Sequence, residues 1–386
     1  MTLLADDQSV AQRIFDHIDN RTTDRSDECW REPVKHYRCE QRFAAELELA
    51  LRRYPTPFCP SAALREAGSY VARDAAGTPI LAVRGGDGRV RAFRNACRHR
   101  GAQLAEGSGC QKAFVCRYHG WTYGLDGRLR HVPHEDGFPG LDKTTRGLAP
   151  VETTEMRGLV FITQDEPYLI EPCLAELPEL IAPSQQLFTT TEQETPANWK
   201  IVVEGFLEGY HIRSTHRETF YPIQFDNLNV VETFGRNSRV AFPYQRINKL
   251  RAIPPAERSV DGMLTYVYHL FPNVMVATFP NNIAMVVLEP LAIDRTKILT
   301  YTLTDRRDHD VDGMEAVNRS RDFLLAGAAE DRAVAIAVQR GLQSGANQFF
   351  EFGQFEGAIS HFHRALDAAL SATRNEGSVD RMPESA

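Results

Sequence analysis

The chain divides by the period of its apolar residues. Over residues 1–54 they recur at helical spacing, as in AQRIFDHI and FAAELELALRRY, which predicts a helical segment. Pro55, Pro57 and Pro60 end that pattern. From Ser69 to Phe93 the period falls to two, in SYVARDAAGTPILAVRGGDGRVRAF, with Ala-Gly and Gly-Gly-Asp-Gly turns between alternating runs. Asp126-Gly127 in WTYGLDGRL marks another hairpin. These signals predict a small β-domain over 55–165, closing on the strand GLVFIT.

Residues 166–195 read as an acidic, proline-dotted linker with a short helix. A helix begins near Asn198 with WKIVVEGFLEGYHI. Residues 263–304 read as long antiparallel strands, TYVYHLF, VMVATF, AMVVLEPLAI and KILTYTLT, rich in β-branched and aromatic residues. Helices follow near 313–342 and 351–373. Strands closed by a long helix predict an α+β second domain over 166–375, with a fraying polar tail at 376–386. No internal repeat interrupts this order.

Composition narrows the class. The chain has 386 residues, 42% hydrophobic and 25% charged, as in soluble proteins of two or three domains. A net charge of −7 offers no basic stripe for nucleic acid. No apolar run reaches the roughly 18 residues that a spanning helix needs. The N-terminus MTLLADDQSVAQRIFDHIDN lacks the basic and apolar regions of a secretory signal. With an odd count of seven cysteines, this points to a reducing cytoplasm, where close cysteines more often bind metal.

Two short motifs carry the first candidate site: Cys97-Arg98-His99 and Cys116-Arg117-Tyr118-His119. A [2Fe–2S] centre of the Rieske type needs two thiolates on one iron and two imidazoles on the other. Two loops that each give one Cys and one His satisfy that demand. Gly101 and Gly120 follow each pair, allowing close backbone approach. A structural zinc site is the alternative, but zinc favours separate Cys-Cys and His-His pairs. Cys29, Cys39, Cys59, Cys110 and Cys173 have no partner at ligand spacing and read as idle thiols. His131, His134, His269, His361 and His363 read as ordinary loop, core or surface residues.

The second candidate site lies in Asn198-Trp199-Lys200 and the run through Glu204, Glu208, His211 and His216. On an ideal helix Trp199, Val202, Val203, Phe206 and Tyr210 form an apolar stripe, and Glu204, Glu208, His211 and Thr215 another. His216 would diverge from His211 by about 140°, so a shared metal requires the helix to end or distort near Ser214-Thr215. Gly205 and Gly209 suit irregular or close packing. A non-haem Fe(II) triad adds one carboxylate to two histidines. Asp331 falls on a stripe with Val334, Ala335, Val338 and Leu342, where an unbound carboxylate is costly. Glu330, Glu218 and Asp226 are weaker alternatives. Spacing alone equally suits one core and one surface histidine.

Cys-x-His-Arg-Gly at Cys97–Gly101, Cys-x-x-His-Gly-Trp at Cys116–Trp121, Asn-Trp-Lys, and Glu-x-Tyr-His-x-x-x-x-His together resemble the large oxygenase subunits of Rieske non-haem iron oxygenases, the aromatic ring-hydroxylating dioxygenase-like family. The resemblance covers nearly the whole chain after about residue 50. It implies a Rieske β-domain followed by a helix-grip (START-like) catalytic domain, an antiparallel sheet around a long helix. It implies Cys97, His99, Cys116 and His119 as cluster ligands, and His211, His216 and Asp331 as ligands of a mononuclear iron. Glu208 takes the place of the carboxylate that bridges towards the cluster of a neighbouring subunit.

The implied activity is that of a terminal oxygenase that hydroxylates, dihydroxylates or oxidatively demethylates a small organic compound with O2. The implied assembly is a homotrimer or a multiple of one. Electrons would come from NAD(P)H through a separate reductase, with or without a ferredoxin, since no G-x-G-x-x-G fingerprint follows a strand here. Glutamate at 208 and glycine at 205 depart from the ring-dihydroxylating pattern, and Glu208 leans towards relatives acting on quaternary amines. An electron-transfer or redox-sensing Rieske protein without oxygenase activity is the other reading.

Overall fold

The computed structural model describes residues 4–165, 177–305 and 311–372. Helix α1 (Asp7–Asn20) is capped by Asp6, which accepts from Ser9 N at 2.8 Å. Strand β1 (Trp30–Pro33) and helix α2 (Glu40–Ala45) follow. The predicted helical segment thus also contains a strand, paired with β19 (Phe349–Phe352) near the other end of the chain.

The first large sheet is antiparallel, in the order β2-β11-β10-β5-β4-β3-β6. Its strands are β2 (Thr56–Pro60), β3 (Ser69–Ala75), β4 (Thr78–Arg84), β5 (Val90–Arg94), β6 (Gly107–Cys110), β10 (Pro150–Met156) and β11 (Leu159–Thr163). A small sheet of β7 (Phe114–Val115), β8 (Thr122–Tyr123) and β9 (Leu129–His131) sits beside it. Alternation decides which way each residue faces. Leu81 and Val83 of β4 turn to a core shared with Cys97, Cys116, Trp121 and Tyr123. Ile80 and Ala82 turn the other way, onto the second sheet.

That second sheet runs β12-β18-β17-β16-β15-β14-β13, again antiparallel. Its strands are β12 (Gln186–Thr195), β13 (Val230–Phe234), β14 (Asn237–Pro243), β15 (Leu264–Leu270), β16 (Val274–Thr278), β17 (Ile283–Ala292) and β18 (Arg295–Thr304). Both of its faces are buried, which is why VMVAT and IAMVVLEPLA are apolar at nearly every position. Met275, Ala277, Val286 and Leu288 face a core with Trp199, Val202, Val203 and Phe362. Val274, Val276, Met285 and Val287 face the first sheet. Into the inner face fit α3 (Trp199–Phe206), the long α5 (Val311–Leu342) and α6 (Gly357–Ser371), while α4 (Ile212–Thr215) carries the chain onward from α3.

Three sequence expectations change. Residues 186–195 form edge strand β12, not linker; its exposed run Thr191–Glu194 gave no apolar signal. Strands β13 and β14 stand where no strand was predicted. The helix from Asn198 stops at Phe206, so the two stripes drawn through Tyr210 and Thr215 do not exist as such. Tyr210 is accordingly swung out and 59% exposed. Cys173 and the polar tail lie outside the described residues.

Candidate metal centres

The cluster motifs sit on two matching turns. Cys97 N donates to Ala102 O and Gly101 N to Cys97 O, both at 2.8 Å. Cys116 N donates to Trp121 O at 2.8 Å and Gly120 N to Cys116 O at 2.9 Å. Gly101 and Gly120 both adopt positive φ, +81° and +73°, which closes each turn. The cysteines are buried and His119 is exposed, so thiols face the core and imidazoles the surface. The rings of His99 and His119 lie 4.7 Å apart, with His99 stacked on Trp121 and Tyr118 on His119. Among the described residues, His99 Nδ1 is buried without a hydrogen-bond partner. Two thiols and two imidazoles, one with an orphaned nitrogen, fit a Rieske cluster.

Tyr123 backs the first turn. Its oxygen accepts from Arg98 N at 2.9 Å and lies 3.3 Å from Cys97 Sγ. With the oxygen engaged by that amide, the phenol hydrogen is left to donate to the sulfur. Burial pushes the phenol well above its ordinary range, and the bond to Cys97 adds to this, so it keeps that hydrogen.

The second centre forms where α3 ends. Gly209 belongs to the turn between α3 and α4, and a Cβ there would stand 2.4 Å from Oδ1 of the buried Asn229, which would have to move. Gly205, by contrast, faces open space. Breaking the helix removes the predicted divergence of the two histidines. His211 Nε2 and His216 Nε2 lie 3.1 Å apart. Asp331 Oδ1, from α5, stands 3.3 Å from the first and 2.8 Å from the second. The three residues offer donor atoms all within 4.8 Å of one another, the one such group among the described residues.

The far nitrogen of each ring is held by a further carboxylate. His211 Nδ1 bonds Glu208 Oε1, whose other oxygen accepts from His211 N at 3.2 Å and from Tyr210 N. His216 Nδ1 donates to Glu330 Oε2 at 2.8 Å. Burial opposes a charged His211, yet hydrogen bonds to Asp331 and Glu208 lift it to about 10. Burial would raise Asp331, yet its bonds to His211 and His216 hold it below its ordinary value. The pocket therefore favours positive charge, and its donor set of two imidazole nitrogens and one carboxylate fits Fe(II).

Residues ahead of the first sheet support this centre. Glu46, fully buried, accepts from Lys200 Nζ with both oxygens at 2.8 Å and from Trp199 Nε1 at 3.0 Å. Asn198 caps α3 by accepting from Lys200 N at 3.0 Å. Asn-Trp-Lys thus seats the helix. Tyr37 OH donates to Glu204 at 2.6 Å, and His363 Nε2 lies 3.0 Å from the same oxygen.

Among the weaker alternatives, Glu330 contacts a histidine from behind and Asp226 lies 3.7 Å from Arg213. His269 is a core histidine, Nε2 to Pro272 O at 3.0 Å. Asp331 is 37% exposed at its side chain and Val334 is exposed, so the stripe drawn for them is only partly buried. Neither Glu46 nor Gly327 carries a signal in the sequence; the missing Cβ of Gly327 leaves room for Phe220, which stands edge-on to His216. The close approach of Phe220 to Gly327 is not readable from an Ala-Gly-Ala run on a helix.

Comparisons with known proteins show the family. Residues 55–147 match the Rieske [2Fe-2S] domain model, and residues 186–372 match the ring hydroxylating alpha subunit (catalytic domain) model. The carnitine monooxygenase oxygenase subunit of Escherichia coli (strain K12) is 28% identical over 367 residues, spanning 88% of this chain and 93% of that protein. A solved quaternary ammonium Rieske monooxygenase, described in terms of carnitine oxidation and inter-subunit electron transfer, superimposes with TM-score 0.76 at 22% identity, covering 96% of this chain and all of that one. Naphthalene 1,2-dioxygenase with indole bound shares the fold at TM-score 0.73 and 20% identity, covering 89% and 92% of the two chains. The chain belongs to the Rieske non-haem iron oxygenases and is a terminal oxygenase of that family, built for one [2Fe–2S] cluster and one mononuclear iron.

Proposed function

We propose that Cys97 and Cys116 hold the inner iron of the cluster, His99 and His119 the outer one, and His211, His216 and Asp331 the mononuclear iron. The observation that carries this is the convergence of two Nε2 atoms and Asp331 Oδ1, with both opposite Nδ1 atoms already bound to carboxylates. When bound, the cluster supplies single electrons and the mononuclear Fe(II) supplies O2 chemistry at positions the triad leaves open. Glu208 touches His211 beside the exposed Tyr210, which suits a role as the link to a neighbouring subunit's cluster.

The reading includes a homotrimer or a multiple of one, and a separate NAD(P)H-dependent reductase, with or without a ferredoxin. No described helix is long and apolar enough to cross a membrane. A cytoplasmic location completes the proposal.

For substrate class we favour a small quaternary or methylated amine, oxidised by insertion of one oxygen atom. Glutamate at 208 and the similarity to carnitine monooxygenase over most of the chain support it. The shared fold of naphthalene dioxygenase keeps ring dihydroxylation as the second reading. Turnover with isotopically labelled O2 separates them. One labelled atom in product, with the other in water, supports amine monooxygenation; two labelled atoms in a ring diol would overturn it.

A further inference from the structure

The long helix α5 takes hold of His216 by both ring nitrogens. Asp331 Oδ1 lies 2.8 Å from Nε2, and Glu330 Oε2, one residue earlier, lies 2.8 Å from Nδ1. Glu330 is itself anchored, since Thr219 Oγ1 donates to the same Oε2 at 2.6 Å. Thr219 belongs to the turn that follows His216, where its amide donates to His216 O at 3.3 Å. One carboxylate thus ties the histidine loop to the helix. The ring of His216 is almost wholly buried, packed edge-on against Phe220 at 4.7 Å.

A neutral imidazole carries its single hydrogen on either nitrogen. If it sits on Nε2, the lone pair needed for a metal is blocked. A carboxylate at Nδ1 draws the hydrogen there and leaves Nε2 open, and it makes the ring a more basic donor. His211 gets the same service from Glu208, three residues away in its own loop. His216 has no carboxylate at Nδ1 from its own loop among the described residues, only the Thr219 hydroxyl at 3.4 Å; Glu330 comes from 114 residues further along.

We propose that Glu330 is a positioning residue for the mononuclear iron, fixing the tautomer and orientation of His216 so that Nε2 faces the metal. The proposal rests on His216 and Asp331 being ligands. It also separates two carboxylates with similar contacts. Glu208 serves His211 on the side proposed to face a neighbouring subunit, whereas Glu330 serves iron retention within one chain.

The test uses full-length oxygenase with its cluster intact and its mononuclear iron removed. Fe(II) is titrated without oxygen against a competing chelator. Replacing Glu330→Leu should weaken Fe(II) binding about 10–100-fold, with the cluster spectrum unchanged. Glu330→Gln should weaken it less, because the amide oxygen still accepts from Nδ1. Thr219→Val, which loosens Glu330 and removes from His216 only the long 3.4 Å contact between the Thr219 hydroxyl and Nδ1, should move affinity the same way by a smaller factor. Asp331→Ala is the control for the ligand reading and should abolish binding. Wild-type affinity in Glu330→Leu, beside loss in Asp331→Ala, would overturn the proposal and leave the ligands standing. Wild-type affinity in Asp331→Ala would overturn the ligand reading itself. If the leucine variant fails to fold, unchanged affinity in both Glu330→Gln and Thr219→Val would overturn the proposal.

Discussion

The two metal-binding regions hold their ligands by opposite means. Around the cluster, backbone does the holding: two turns with the same pair of amide hydrogen bonds present one cysteine and one histidine each. Around the mononuclear site, side chains do it: two histidines from a broken helix are fixed by Glu208, Glu330 and Asp331. The first arrangement is local and needs little beyond its own hairpins. The second exists only once α5 has packed against the histidine loop. Damage to one region should therefore leave the other largely intact, and the two should differ in their sensitivity to distant changes.

The largest expected effects break the regions separately. Asp331→Ala should abolish oxygenase turnover and mononuclear iron while sparing the cluster's visible absorption. Cys116→Ser should do the reverse, losing the cluster and its labile sulfide while Fe(II) still binds at the second site; metal analysis of both variants reads this directly. A Cys116 variant that loses both sites would show the regions to be coupled.

Next in size is the distant support of the second region alone. Glu46 and Lys200 are both fully buried, so Glu46→Gln leaves a buried ammonium without its counter-charge. Breaking such a pair costs about 3–5 kcal/mol, seen as a lowered denaturation midpoint, and Lys200→Met in the same chain should restore part of it. A smaller effect belongs to the first region. Tyr123→Phe removes the hydrogen bond to Cys97 Sγ, which stabilises the more negative, reduced cluster. The reduction equilibrium should fall about tenfold, roughly 59 mV for one electron, in a redox titration. An unchanged potential would mean the phenol does not donate to the sulfur.

A further effect, confined to one pH range, lies at the seam of the two sheets. Glu289 on β17 accepts from Gly77 N at 3.1 Å, and burial raises its carboxyl from 4.5 to about 7. The unfolded chain ionises first, so the stability linked to this group is full below pH 4.5 and is lost as pH rises through about 7. Glu289→Gln should leave the thermal midpoint unchanged below that window and raise it above, relative to the parent.

The same contrast explains what could be read from sequence. Cys97/His99 and Cys116/His119 are legible because their ligands lie two and three residues apart on hairpins whose turns the sequence also signals. His211 and His216 are not compatible with one ideal helix, and only the break after Phe206 reconciles them. Asp331 is signalled first as a carboxylate on an apolar helical stripe and then by the family resemblance, since no spacing rule spans the distance from His216. Glu330 carries no signal of its own in the sequence, because its partner His216 is on another element. Strand β12 was missed because much of its run Gln186–Thr195 is polar and lies at a sheet edge. The apolar strands β15 to β18 were plain because both faces of their sheet are covered.

The central claim is that one chain builds both centres. Iron and acid-labile sulfide per chain, measured on protein purified without oxygen, test it most directly. About three irons and two sulfides are predicted, two irons in the cluster and one at His211, His216 and Asp331. About two irons and two sulfides, with added Fe(II) unable to fill a further site, would contradict the oxygenase reading and leave an electron carrier; zinc without sulfide would contradict both centres.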